Sequence, residues 1–179
     1  MSDLAYIVTG APGTGKSTLI KSLENFGLPV FEEIARKVIA QEVEKGTSSL
    51  PWDNVEAFSL LVLNQMIAQK EKHENNEASF LDRGIPDIIG YLHHANLTPD
   101  PIFEQYLSKF NYNQKVFFAP IWEEIYQNDK ERIETIPQAH QVSEVLYKTY
   151  VDLGFNVIVL PKISVEERVN FVLSEIEKD

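Results

Sequence analysis

Ala5-Tyr-Ile-Val-Thr9-Gly10-Ala11-Pro12-Gly13-Thr14-Gly15-Lys16-Ser17-Thr18 begins as a short β-prone run and breaks into a glycine-rich turn. After the turn Leu19, Ile20, Leu23 and Phe26 recur at helical spacing, and Gly27 stands where a C-terminal cap belongs. Gly10, Gly15, Lys16 and Ser17 satisfy G-x-x-x-x-G-K-[ST] in full, between a strand and an amphipathic helix, which is the context the motif requires. Its glycines let successive backbone N–H groups curl toward phosphate oxygens, and a helix beginning near Gly15 adds the positive end of its dipole. Lys16 is expected to reach the β- and γ-phosphates of ATP or GTP, with the Ser17 hydroxyl on Mg²⁺. The alternative is a turn that binds nothing.

Pro29-Val30-Phe31 reads as a second short strand with Glu32 and Glu33 at its carboxyl end. A helix from Ile34 to about Glu44 stops at Gly46, and Thr47 to Trp52 is a loop. Asp53 is placed to cap a long helix whose apolar face carries Phe58, Val62 and Met66. Ser79–Asp82, Lys115–Ala119 and Phe155–Leu160 supply three more strands. Further helices are expected over 87–93 and 102–110, and along Val142, Leu146, Thr149 and Leu153 up to Gly154. The last opens with Ser164 and Glu167 spaced as a capping box and carries Val165, Val169, Val172 and Ile176 on one face. Strands alternating with helices make a parallel sheet covered on both sides, an α/β fold of three α/β/α layers. No repeat or linker divides residues 1–179, which read as one domain.

The formal charge is −11, from 27 acidic and 16 basic residues, so DNA or RNA is not the expected partner. Zero cysteines exclude disulfides, thiolate catalysis and cysteine-ligated zinc. No apolar run approaches the roughly 20 residues that span a bilayer, and no basic stretch leads into an apolar one at the N-terminus. A cytoplasmic location is the expectation. His93-His94 lacks a third ligand at metal spacing, and Phe103, Tyr106, Phe110 and Tyr112 read as packing.

A second carboxylate is expected near the metal, and Asp82 ends the third strand, where switch-point ligand sites gather. Arg83 follows it as a phosphate contact; the alternative makes Asp82 a helix cap and Arg83 a solvated charge. Asp87 divides evenly between capping and acceptor binding. Glu33, favoured over its neighbour Glu32, is placed to orient an attacking hydroxyl, with Arg36 one helical step away to pair with it or reach a phosphate. Lys130 and Arg132 lie in a polar stretch that is either a solvated face or a lid over the phosphates. Trp52 sits where an acceptor would be covered.

Together these residues make the chain resemble the nucleoside and nucleotide kinases built on a P-loop. It is more closely similar to the predicted AAA-type ATPases that include the ribosylnicotinamide kinase domain. The likeness rests on Gly10–Thr18, on Phe31-Glu-Glu-Ile-Ala-Arg36, on Leu81-Asp-Arg-Gly-Ile-Pro-Asp87 with Tyr91, and on Ile125-Tyr-Gln-Asn-Asp-Lys-Glu-Arg132 continuing to Tyr150 and Gly154-Phe155. The resemblance implies a P-loop NTPase sheet of five parallel strands in the order 2-3-1-4-5. It implies Asp82 near the metal, Arg83 near phosphate, Glu33 and Arg36 on the acceptor side, an acceptor-side helical region at about 46–78, and a lid at about 126–138 supplying Arg132. The expected activity is transfer of the ATP γ-phosphoryl to a small nucleoside- or nucleotide-like acceptor. The alternative is a nucleotide-dependent switch, although no Asn-Lys-x-Asp base-reading segment is present. No feature of the sequence sets an oligomeric state.

Overall fold

Five parallel strands, β1 (Ala5–Thr9), β2 (Val30–Phe31), β3 (Ser79–Asp82), β4 (Tyr112–Phe118) and β5 (Asn156–Val159), form one sheet in the order β2-β3-β1-β4-β5. The computed structural model describes residues 5–71, 78–125 and 135–178. Lys130 and Arg132, with most of the expected lid, lie outside the described residues.

Side chains alternate across a strand, and here the alternation builds two cores. Tyr6 and Val8 of β1, Phe80 of β3 and Phe117 of β4 face one layer, made by α1 (Lys16–Asn25) and α7 (Val165–Ile176) through Leu19, Leu23, Val169 and Val172. Ile7, Leu81 and Val116 face the other way. That side is covered by α2 (Ile34–Lys45), α3 (Val55–Glu71), α4 (Ile85–His94), α5 (Pro101–Leu107) and α6 (Ile136–Asp152). The expected three-layer α/β/α order and strand order are both present.

Several local expectations shift. Phe26 follows α1 and is 59% exposed, so it ends the helix instead of extending its apolar face. The cap of α3 is Asn54, whose side chain accepts the Ala57 N–H at 3.0 Å; Asp53 lies one residue too early. The helix expected over 87–93 begins at Ile85, because Gly84 is its N-cap and Asp87 is the third residue of its first turn. The segment 102–110 stops at Leu107 and leaves Phe110 in the core. β4 starts three residues before Lys115, since Tyr112 pairs with Ala5 across an irregularity in the β1–β4 register. The Ser164–Glu167 capping box forms as expected. Among the described residues no helix is long and apolar enough to cross a membrane.

Candidate active site

β2, β3 and β1 are neighbours, so their carboxyl ends bring Glu33, Asp82 with Arg83, and Thr9 with Gly10 into one row. Crevices outside the carboxyl ends of parallel strands are where such sheets bind ligands. Glu33 and Arg83 of this row line a cavity of about 1200 Å³ that also takes in Pro12 to Thr18.

Gly10 has φ 135°, and a Cβ there would stand 2.3 Å from the Ala119 carbonyl oxygen, so the turn passes the end of β4 where no side chain fits. Gly15 caps α1 with φ 84° and no side-chain hydrogen bond, and first-turn N–H groups of this kind are the ones a phosphate accepts. Lys16 is buried and donates to the Ala11 carbonyl at 2.7 Å, while Thr14 donates to the same oxygen at 2.9 Å. The loop therefore holds its lysine on backbone oxygen, the position of charge that a phosphate would take over. Burial, and next the Arg83 guanidinium, push the Lys16 amine down to about 7 against the opposing pull of Asp82, Glu33 and Asp87.

Asp82 does not cap α4, and Arg83 is not solvated. Asp82 is buried, and its Oδ1 has no hydrogen-bond partner among the described residues. Burial and the Glu33 charge raise its carboxyl above the usual range despite Lys16 and Arg83. Arg83 is 7% exposed and adopts φ 75°, a left-handed conformation rare outside glycine. Its Nε donates to Glu33 Oε1 at 2.9 Å, its Nη1 to Asp87 Oδ1 at 3.1 Å, and its guanidinium lies over the Tyr91 ring. Burial opposes the Arg83 charge, but Tyr91, Glu33, Asp87 and Asp82 hold it firmly protonated.

Glu33 Oε2 accepts from Arg36 at 3.1 Å, which completes an alternating chain Arg36–Glu33–Arg83–Asp87. Burial alone would raise the Glu33 carboxyl; Arg83, Lys16 and Arg36 outweigh it and hold it below the usual range. Glu32 is instead on the surface with Lys37. Asp87 caps α4 by accepting the Gly84 N–H at 2.9 Å, and it also takes the Thr9 and Tyr150 hydroxyls. Both Asp87 oxygens are thus used inside the protein. Trp52 is 64% exposed on the turn before α3, at the cavity rim.

Sequence reasoning missed Arg168. It is 3% exposed, its Nε donates to Pro161 O at 2.8 Å, its Nη1 to Thr14 O at 3.2 Å, and it stacks on Trp122. It ties the cradle to the turn before α7. The signal was legible: Val165, Arg168 and Val172 fall on one stripe of the helix, where a charge has no reason to stand unless it has a partner.

A family model described as AAA domain matches residues 5–168. The chain belongs to the AAA domain family. No curated protein matches it. Among solved structures, this AAA domain is similar to deoxyadenosine kinase from M. mycoides, at 13% identity and TM-score 0.65, covering 98% of this chain and 100% of that one. Thymidylate kinase from Candida albicans aligns at 16% identity and TM-score 0.66, covering 98% and 91%. A NadR protein in complex with NR aligns at 19% and TM-score 0.62, covering 97% of this chain and 50% of that one. At these identities the likeness establishes a fold shared with the kinases, as the resemblance implied.

Proposed function

We propose that this AAA domain transfers the γ-phosphoryl group of ATP, or of GTP, to the hydroxyl of a small acceptor. The carrying observation is that one cavity holds both the phosphate cradle and a second chamber, with Glu33 and Arg83 at the junction. A pure nucleotide binder needs the cradle and room for the base and sugar, and has no use for a further chamber along α2 and α3.

In this reading Gly10 to Thr18 hold the triphosphate and Lys16 bridges its β- and γ-groups. The donor set fits Mg²⁺, since Asp82 Oδ1 is a buried oxygen with no hydrogen-bond partner among the described residues and Ser17 lines the cavity. Ser17 and Asp82 would hold the ion there, and when bound it would neutralise phosphate charge. Arg83, locked between Glu33 and Asp87, presents a fixed cation to the transferring group. Glu33 orients the acceptor hydroxyl. Held ionised by two arginines, it is a weak base, which suits a loose transition state in which the proton leaves late. Residues 126–138 act as a lid with Lys130 and Arg132, helices in 46–78 wall the acceptor, and the whole chain works as one domain.

The test is ATP turnover against a panel of hydroxyl-bearing small molecules. Strong stimulation by one class, with the phosphorylated product identified, is expected. Flat turnover across the panel with tight nucleotide binding would move the assignment to a nucleotide-dependent switch. Glu33→Gln should keep ATP affinity while slowing transfer, and full activity in that variant would remove Glu33 from its role.

A further inference from the structure

Away from the cradle the cavity continues between α2, α3 and α4, and its wall changes character. The charged side chains Lys16, Glu33, Arg36, Arg83 and Asp87 stand at the cradle end. Beyond them the wall is Ile39 and Val43 of α2, Val55, Phe58, Val62 and Met66 of α3, and Ile88, Tyr91 and His94 of α4. Trp52 and Val43 stay 64% and 56% exposed at the rim, large apolar surface that the protein core does not use. No asparagine or glutamine is among the described lining residues, and Ser59 is the one polar side chain that α3 adds among them.

A nucleobase carries several donors and acceptors on its edges and needs partners placed to meet them. Each group buried unpaired lowers affinity by roughly tenfold or more. A wall mostly of aliphatic and aromatic carbon, with Ser59, Tyr91 and His94 as its polar side chains on α3 and α4, meets few of them and favours removal of CH₂ groups from water. The cavity, about 1200 Å³, is also larger than the roughly 300–1,000 Å³ of a pocket for one small ligand, and its lining extends past the cradle along α2 and α3.

We infer that this second chamber takes an amphiphilic alcohol in place of a nucleoside, with its single hydroxyl at Glu33 and Arg83 and a plain hydrocarbon body along α2 and α3. The inference rests on the phosphotransferase reading for its chemistry and on the wall for its ligand class. The alcohol oxygen forms a bond to the γ-phosphorus and the bond from that phosphorus to the bridging oxygen breaks. The hydroxyl proton passes by Glu33 to solvent, and the products are a phosphomonoester, ADP and a proton.

The experiment uses the full chain with Mg²⁺-ATP, unbranched alkan-1-ols of four to nine carbons, and a set of nucleosides. Binding is read by calorimetry and phosphomonoester formation by mass spectrometry. Affinity should rise about fourfold per added methylene until the chamber is full, with nucleosides left unphosphorylated. Ile39→Asn should raise the KM of the longer alcohols at least roughly tenfold, with Ile39→Leu restoring it. Val43→Asn, at the exposed rim, makes the same test if Ile39→Asn does not fold. Nucleosides phosphorylated while alkanols stay inert would overturn the inference and leave the phosphotransferase reading standing. Length-dependent binding without product would keep the ligand class and remove the phosphotransferase reading. Binding that ignores chain length would overturn the inference.

Discussion

Lys16 illustrates how a single residue reports its ligand. Burial and Arg83 hold its amine near 7 in the free protein, far below the ordinary lysine value. Phosphate oxygens beside it favour the charged form and raise it again. Nucleotide binding between about pH 7 and 9 should therefore take up a proton, and affinity should weaken as pH rises above 7. Calorimetry in buffers of differing ionisation enthalpy measures that uptake; its absence would place the phosphates away from Lys16. Lys16→Ala should weaken nucleotide binding at least roughly tenfold, and unchanged binding would sink the cradle assignment. Asp87 makes a second test. Removing its charge leaves buried Arg83 with Glu33 as its remaining ion pair among the described residues, so Asp87→Asn should destabilise by about 3 kcal/mol in urea titration, and Tyr150→Phe by about 1.5 kcal/mol. The sequence divides Asp87 between capping and acceptor binding because both uses begin from an acid in a first helical turn. The Thr9 and Tyr150 hydroxyls on its two oxygens come from β1 and α6, 78 and 63 residues away, and no local pattern announces them.

At the scale of elements, strands and helices are legible and their ends are less so. Apolar periodicity belongs to the element itself, whereas a cap depends on which of two adjacent polar residues reaches the free N–H groups. Asp53 and Asn54 are both good caps by type, and the fold selects Asn54. Asn54→Ala should cost about 1 kcal/mol in thermal or urea unfolding, while Asp53→Ala stays within about 0.5 kcal/mol. The reverse order would contradict the placement of α3. Helix contacts are also invisible before assembly. A Cβ on Gly90 would stand 2.7 Å from Leu146 Cδ2, so α4 and α6 approach through this glycine. Gly90→Ala should destabilise by about 1–3 kcal/mol in spite of its better helix propensity.

For the whole molecule, the site gathers buried groups whose charged forms burial disfavours. Lys16 is held toward its neutral form and Asp82 is raised above the usual range, each by burial first, and Arg168 keeps a buried Nη2 with no partner among the described residues. A nucleotide that satisfies these groups should stabilise the fold. At 100 times its Kd a ligand contributes about 2.7 kcal/mol, or roughly 5–10 °C in Tm for a chain of this size, and Lys16→Ala should abolish most of that shift in a thermal melt. The sequence by itself determined the cradle from Gly10 to Thr18, the alternation of strands and helices, and the sheet order through its resemblance, because each rests on local spacing or on an unbroken motif. Tertiary structure alone decided the rest. It set the left-handed turn at Arg83 and Arg83's two carboxylate partners, the approach of Arg168 to Thr14 across 154 residues, and the apolar wall facing the cradle. These depend on which strand ends lie side by side and which helix face turns inward. Such relations are set by packing among distant segments, so no stretch of the chain carries them alone.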